Sequence, residues 1–302
     1  MFYIVLALIS GVMVSVQSSC NGVLSPFIGV FGVGFISMLL NAFTCFLLEF
    51  IPTRTFPKPG AMPPRVYLGS ICAASVMGFS GYLVARVGSA VTVCLSVSGQ
   101  LIMSAIVDHF GWFGSEKVRF RSNRILGFFC ILAGVFVINF AGADSFRGIA
   151  GQGMLLFLLL FAVFLGFITV LARMFNFEAS HYVGPIAGGF YIAGVGALLS
   201  FVLLLCTSGF QIPVSGFAKA PFLAYLTGPL GGGACLLNNL TYGKMKVFHA
   251  TIFNLVGQIG ASIVADLILL GEFPLSKLVG ILVVCAGIFL DKRATLKAQK
   301  QQ

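Results

Sequence analysis

Gly99-Gln100-Leu101-Ile102-Met103-Ser104-Ala105-Ile106-Val107-Asp108 returns later in the chain as Gly257-Gln258-Ile259-Gly260-Ala261-Ser262-Ile263-Val264-Ala265-Asp266. Gly, Gln, Ser and Asp recur at the same spacing, and each phrase lies in an apolar run long enough to cross a bilayer. Each glutamine falls near the middle of its run. An uncharged polar side chain at that depth is costly unless it faces protein or a watery cavity. A duplicated membrane chain with paired polar residues at its centre reads first as a transporter.

The rest of the sequence fits that frame. Hydrophobic residues make up 59% and charged residues 9%, which excludes an ordinary soluble domain. Ten apolar runs are legible, at about 2–21, 30–51, 66–85, 89–108, 124–141, 153–173, 183–206, 222–242, 250–270 and 275–290. The longest connections, 52–65, 109–123 and 207–220, are too short to fold alone. The first run lacks a basic leader and continues through Gln17-Ser18-Ser19-Cys20-Asn21 into more membrane sequence, so a retained helix is expected rather than a signal peptide.

The net charge of +10 does not point to nucleic acid, because the basic residues are spread through loops. They do fall unevenly on alternate sides of the spans. Arg54, Lys58, Arg65, Lys117, Arg119, Arg121, Arg124, Arg173, Lys244, Lys246 and the tail Lys292–Lys300 share one side. The other side holds Arg86, Arg147, Lys219 and Lys277. The positive-inside rule then places both termini in the cytoplasm, with the basic tail against anionic headgroups. The eight cysteines form no C-x-x-C pair and read as small buried hydrophobes, not as disulfides or metal ligands.

With the glutamine phrases aligned, Arg86 stands opposite Lys244; after a five-residue contraction Gly127 matches Gly280, and with a separate shift of register upstream Asn21 falls opposite Asn176. Five spans per half is odd, so the second half must insert upside down. The expected fold is an all-α polytopic membrane protein of ten transmembrane helices in two inverted five-helix repeats, residues 1–148 and 149–302, forming one transmembrane unit. A pseudo-twofold axis in the membrane plane would bring Gln100 and Gln258 to similar depth beside one central cavity. The eighth span contains Gly228-Pro229 and Gly231-Gly232-Gly233, which suggest a kink or an unwound segment.

Gln100 and Gln258 are the first substrate-binding candidates, each offering a carbonyl and two N–H donors; the alternative is structural glue between helices. Asn254 shares the face of Gln258 one turn earlier. Ser104 and Ser262 lie four residues after each Gln, where a hydroxyl also readily bonds its own helix. Gln17 and Asn21 form an i, i+4 pair that either lines an outer vestibule or caps the first helix. Asp108 and Asp266 lie about 12 Å beyond their glutamines; they are candidates for gating or coupling, or else solvated helix ends or interhelical pairs. No catalytic residue, metal site or cofactor is expected.

The phrase Gly99-Gln100, Ser104, Asp108-His109-Phe110-Gly111 resembles the YdcZ-like branch of the drug/metabolite transporter superfamily. Gln17, Asn21 and Leu132-Ala133-Gly134-Val135 are similar to that branch too. Leu270-Gly271-Glu272-Phe273-Pro274-Leu275, Gly280 and Ala286-Gly287 look like the final helix pair of EamA-type members. The resemblance implies two five-helix units fused in one chain. It also implies a bacterial inner-membrane carrier that exports small metabolites or drugs by alternating access. His-Phe-Gly is missing after Asp266, and Ala172-Arg173 stands opposite Gln17-Ser18, so the two halves have diverged. The expected partners are a small-molecule substrate and the lipid bilayer. A monomer supplies both halves and suffices in principle, with a homodimer as an option.

Three other classes are weighed against the carrier. An accessory or structural membrane protein would use the same polar residues only as glue. A membrane enzyme would need a nucleophile–base pair or metal ligands, and no G-x-S-x-G, H-E-x-x-H or P-loop phrase is present. A channel would differ from a carrier in rate and not in sequence.

Overall fold

The computed structural model describes residues 2–55, 62–87, 89–114, 152–207 and 214–270, and every regular element among them is helical. The expected spans 124–141 and 275–290, and the basic tail, lie outside the described residues.

Helix α1 (Phe2–Thr53) contains the first two spans, joined at a sharp bend. Gly29 makes the bend with φ 69° and ψ 169°, a conformation essentially confined to glycine. Pro26 precedes it and removes a backbone donor. A 3₁₀ turn, Pro64–Tyr67, leads into α2 (Leu68–Val87), and α3 (Ser89–Phe110) carries the first glutamine phrase. Helix α4 (Gln152–Val183) continues well past residue 173, where its apolar run appeared to stop. It ends where Gly184 takes φ 93° and Pro185 opens α5 (Pro185–Thr207). The short α6 (Val214–Lys219) and a second 3₁₀ turn (Phe222–Leu226) precede α7 (Thr227–Tyr242) and α8 (Val247–Leu270).

The break expected around Gly228-Pro229 is absent, because α7 is continuous from Thr227. Pro229 sits in its first turn, where a missing N–H costs no helical bond. The α7 glycines instead make room for α1. A Cβ on Gly228 would fall 2.2 Å from the Cβ of Leu40, and one on Gly233 would fall 2.3 Å from the terminal methyl of Met13.

Helix α1 packs mainly against α7, α5 and α8, while α4 packs against α3 and α2. On α1, Phe2, Val5, Ile9, Val12 and Val16 form an exposed apolar stripe at alternating spacings of three and four. Such a stripe is what a helix presents to lipid. Phe2–Thr53, Leu156–Val183 and Pro185–Thr207 are long and apolar enough to cross a membrane. At one end of the bundle, Met103, Val107, Val170, Met174, Phe177, Tyr242, Val247 and Ala250 join α3, α4, α7 and α8 in one apolar cluster. Near that end Arg65 donates from Nε (3.1 Å) and Nη2 (2.8 Å) to one oxygen of Glu178. This hydrogen bond and the carboxylate charge hold the Arg65 guanidinium above its usual pKa.

Candidate functional site

The two glutamines are positioned by two backbone crossings. A Cβ on Gly11 of α1 would lie 2.0 Å from the carbonyl oxygen of Asn254, and one on Gly257 of α8 would lie 2.2 Å from that of Leu8. A Cβ on Gly99 of α3 would lie 2.0 Å from the carbonyl oxygen of Val163, and one on Gly166 of α4 would lie 2.0 Å from that of Ser96. In all four cases the carbonyl belongs to the residue three before the facing glycine. Gly11 and Gly166 each stand ten residues before an asparagine, Asn21 and Asn176, and Gly99 and Gly257 each stand just before a glutamine. One contact thus occurs twice with its partners exchanged. Only glycine permits this approach.

Beside the α1–α8 crossing runs a directed hydrogen-bond chain. Gln258 Nε2 donates to Asn254 Oδ1 (2.6 Å), and Asn254 Nδ2 donates to Ser10 Oγ (3.0 Å). Ser10 Oγ in turn donates to Asn238 Oδ1 on α7 (2.9 Å). Asn254 is 1% exposed and Ser10 is fully buried, while Gln258 remains partly accessible. Beside the α3–α4 crossing the counterpart differs. Gln100 is 7% exposed and its Oε1 is buried with no hydrogen-bond partner. Ser104 spends its hydroxyl on Leu101 O of its own helix (2.9 Å).

A second polar cluster ties the bend of α1 to α7. Asn21 Oδ1 accepts from Ser37 Oγ (2.7 Å) and from Thr227 Oγ1 (2.6 Å). Gln17 lies buried with its amide against Gly231, near Asn41. Neither Gln17 nor Asn21 caps a helix, because α1 runs on to the bend at Gly29. Asp108 is 4% exposed and caps another helix. Its two oxygens accept from the backbone N–H groups of Val247 and Phe248, each at 2.9 Å, at the start of α8. It is therefore an interhelical anchor and not a solvated charge. The backbone of α8 includes Ser262 and Asp266, whose side chains lie outside the described residues.

Comparison with known proteins gives the chain a family. A family model described as "Putative inner membrane exporter, YdcZ" matches residues 2–137 and 157–290. The chain belongs to this family. A solved crystal structure shares its fold at a TM-score of 0.71 and 16% sequence identity, over 100% of this chain and 98% of the other. A search of curated proteins finds no match. As a YdcZ-family member with exposed apolar helices, the protein is placed in the inner membrane.

The structure thus brings Gln258 and Asn254 together and leaves Gln100 outside their hydrogen-bond chain. Sequence reasoning about this YdcZ-family chain missed Ser10, Ser37, Thr227 and Asn238, which supply the partners. It also read Arg173 only as a cation at the end of a span, whereas its Nη1 is buried without a hydrogen-bond partner, as is Oδ1 of Asn176 three residues later. The available signal was that all six are polar residues inside or beside apolar runs. Spacing along one helix does not reveal which helix will face it.

Proposed function

We propose that this YdcZ-family chain exports a small molecule by alternating access, from a site between two inverted five-helix repeats whose termini are cytoplasmic. The observation that supports this reading best is the doubled glycine crossing, Gly11 on Gly257 and Gly166 on Gly99. Identical contacts with exchanged partners are what a pseudo-twofold axis produces, and such an axis relates the halves of inverted-repeat carriers. Bare backbone contacts also let helices rock past one another with little side-chain repacking.

The polar groups beside the crossings divide into fixed and free. Gln258 is tied to Asn254, Ser10 and Asn238, and strengthens the α1–α7–α8 side. Gln100 keeps a buried carbonyl for which the protein supplies no donor. A buried acceptor without a donor costs about 1–3 kcal/mol, and a substrate N–H or O–H would relieve that cost. Gln100 is therefore the principal substrate-binding residue in this reading, with Gln258, Asn254, Gln17 and Asn21 shaping the cavity. Reconstitution into proteoliposomes tests it. Wild type moves a member of a panel of amines, amino acids, nucleosides and sugars down its gradient, and Gln100→Ala loses that flux without losing thermal stability. Wild-type vesicles no leakier than protein-free ones toward the whole panel would leave an accessory membrane protein as the better description.

A further inference from the structure

The two halves treat their matching asparagines in opposite ways. Asn21 Oδ1 is saturated by Ser37 and Thr227. Ile192 stands sixteen residues after Asn176, as Ser37 does after Asn21, and Gly69 aligns with Thr227. The structure brings these counterparts to the same place: a Cβ on Gly69 would lie 2.6 Å from the Cβ of Phe175 and 3.2 Å from Cδ1 of Ile192. Neither counterpart carries a hydroxyl, and Asn176 Oδ1 is buried with no hydrogen-bond partner. One turn earlier stands Arg173, partly exposed, whose Nη1 is also buried with no partner. Where the first half has Ser18, bonded to Val14 O of its own helix (2.9 Å), the second half has a cation.

Arg173 follows Gly166 by seven residues, about two helical turns, and so lies within roughly 20° of the face that crosses α3 at Gly99. Helical side chains lean toward the N-terminal end of their helix, here toward the crossing and Gln100. Arg173 Nη1 is a buried donor without a hydrogen-bond partner, a cost of about 1–3 kcal/mol that an acceptor on a ligand would relieve.

We propose that Arg173 and Asn176 form a binding site for the head group of a small organic anion, one that carries an oxyanion and an N–H or O–H donor together. The oxyanion accepts from Arg173, and the donor fills Asn176 Oδ1. Amino acids and hydroxy acids have this chemistry; simple amines and lipophilic cations do not. The inference rests on the exporter reading above and names the substrate class for it.

The test is a ligand thermal-shift series on the full-length protein in detergent, with lactate, alanine, acetate, inorganic phosphate and choline as probes. Lactate and alanine should stabilise wild type, acetate and phosphate less so, and choline not at all. Arg173→Gln should raise the concentration giving half the lactate shift by at least about tenfold, the loss of about 1.4 kcal/mol of binding, and Arg173→Lys should restore part of it. Asn176→Leu should abolish the preference for lactate over acetate while leaving the ligand-free protein at least as stable as wild type. A merely structural asparagine would instead lower that stability. The proposal is overturned if no anion shifts wild type, or if Arg173→Gln keeps the full lactate shift. Proteoliposome flux separates the two readings. Transport of a cation or neutral compound with anions inert removes this site and leaves the exporter, whereas no flux of any probe removes the exporter.

Discussion

Replacing Asp108 by alanine should destabilise the protein by about 3 kcal/mol, taking two charge-assisted hydrogen bonds at about 1.5 kcal/mol each. Both carboxylate oxygens are engaged at 2.9 Å by the first N–H groups of α8, and the side chain is buried, so water cannot readily take over. The negative charge also faces the positive end of the α8 dipole, which adds a few tenths of a kcal/mol or more. Asp108→Asn keeps one carbonyl acceptor and should lose about half as much. Equilibrium unfolding in mixed micelles, followed by circular dichroism, measures both. The readout should be local as well as global, with faster amide exchange at Val247 and Phe248 before the rest of α8. If Asp108→Ala unfolds with wild type but changes the pH dependence of transport, Asp108 is a coupling group and the capping argument is wrong.

Other substitutions separate packing from binding. Alanine at Gly11, Gly99, Gly166 or Gly257 should cost about 1–3 kcal/mol through overpacking, by similar amounts at all four, because each new Cβ meets a carbonyl oxygen at 2.0–2.2 Å; thermal denaturation in detergent would show it, and one tolerant site would break the equivalence of the crossings. Ser10→Ala strands Asn254 Nδ2 and Asn238 Oδ1 and should lower stability by about 1–3 kcal/mol, whereas Gln100→Ala, removing an unpartnered carbonyl, should leave the unfolding midpoint unchanged or raised. Gly29→Ala forces a side chain into the glycine-only region of the α1 bend and should cost about 1–3 kcal/mol, visible as a lower melting temperature with helicity retained.

The membrane class was legible from apolar run lengths, and most helix cores fall where those runs lie. Length and hydropathy are properties of contiguous sequence, so bilayer thickness alone converts them into spans. Local irregularity was harder to place. Gly228-Pro229 resembles a breaker on paper, but a proline in a first turn breaks nothing; the sharp bend at Gly29 falls in the gap expected between the first two runs, though helix continues on both sides of it where a loop was read. Arg173 looked like the loop end of a span because hydropathy falls there, yet α4 continues through it to Val183.

The sequence by itself determined the membrane-spanning character, the repeated Gly-Gln phrase and the matching asparagines, because each is written in chain order. Only the tertiary structure decided which member of each polar pair is satisfied. Asn21 meets a hydroxyl on a helix far away in sequence, and Gln258 reaches one through Asn254, its neighbour one turn earlier on the same helix, while Oε1 of Gln100 and Oδ1 of Asn176 meet no donor. A hydrogen bond needs two groups within about 3 Å, and that distance is set by how helices cross, which here depends on four glycines that bring backbones into contact.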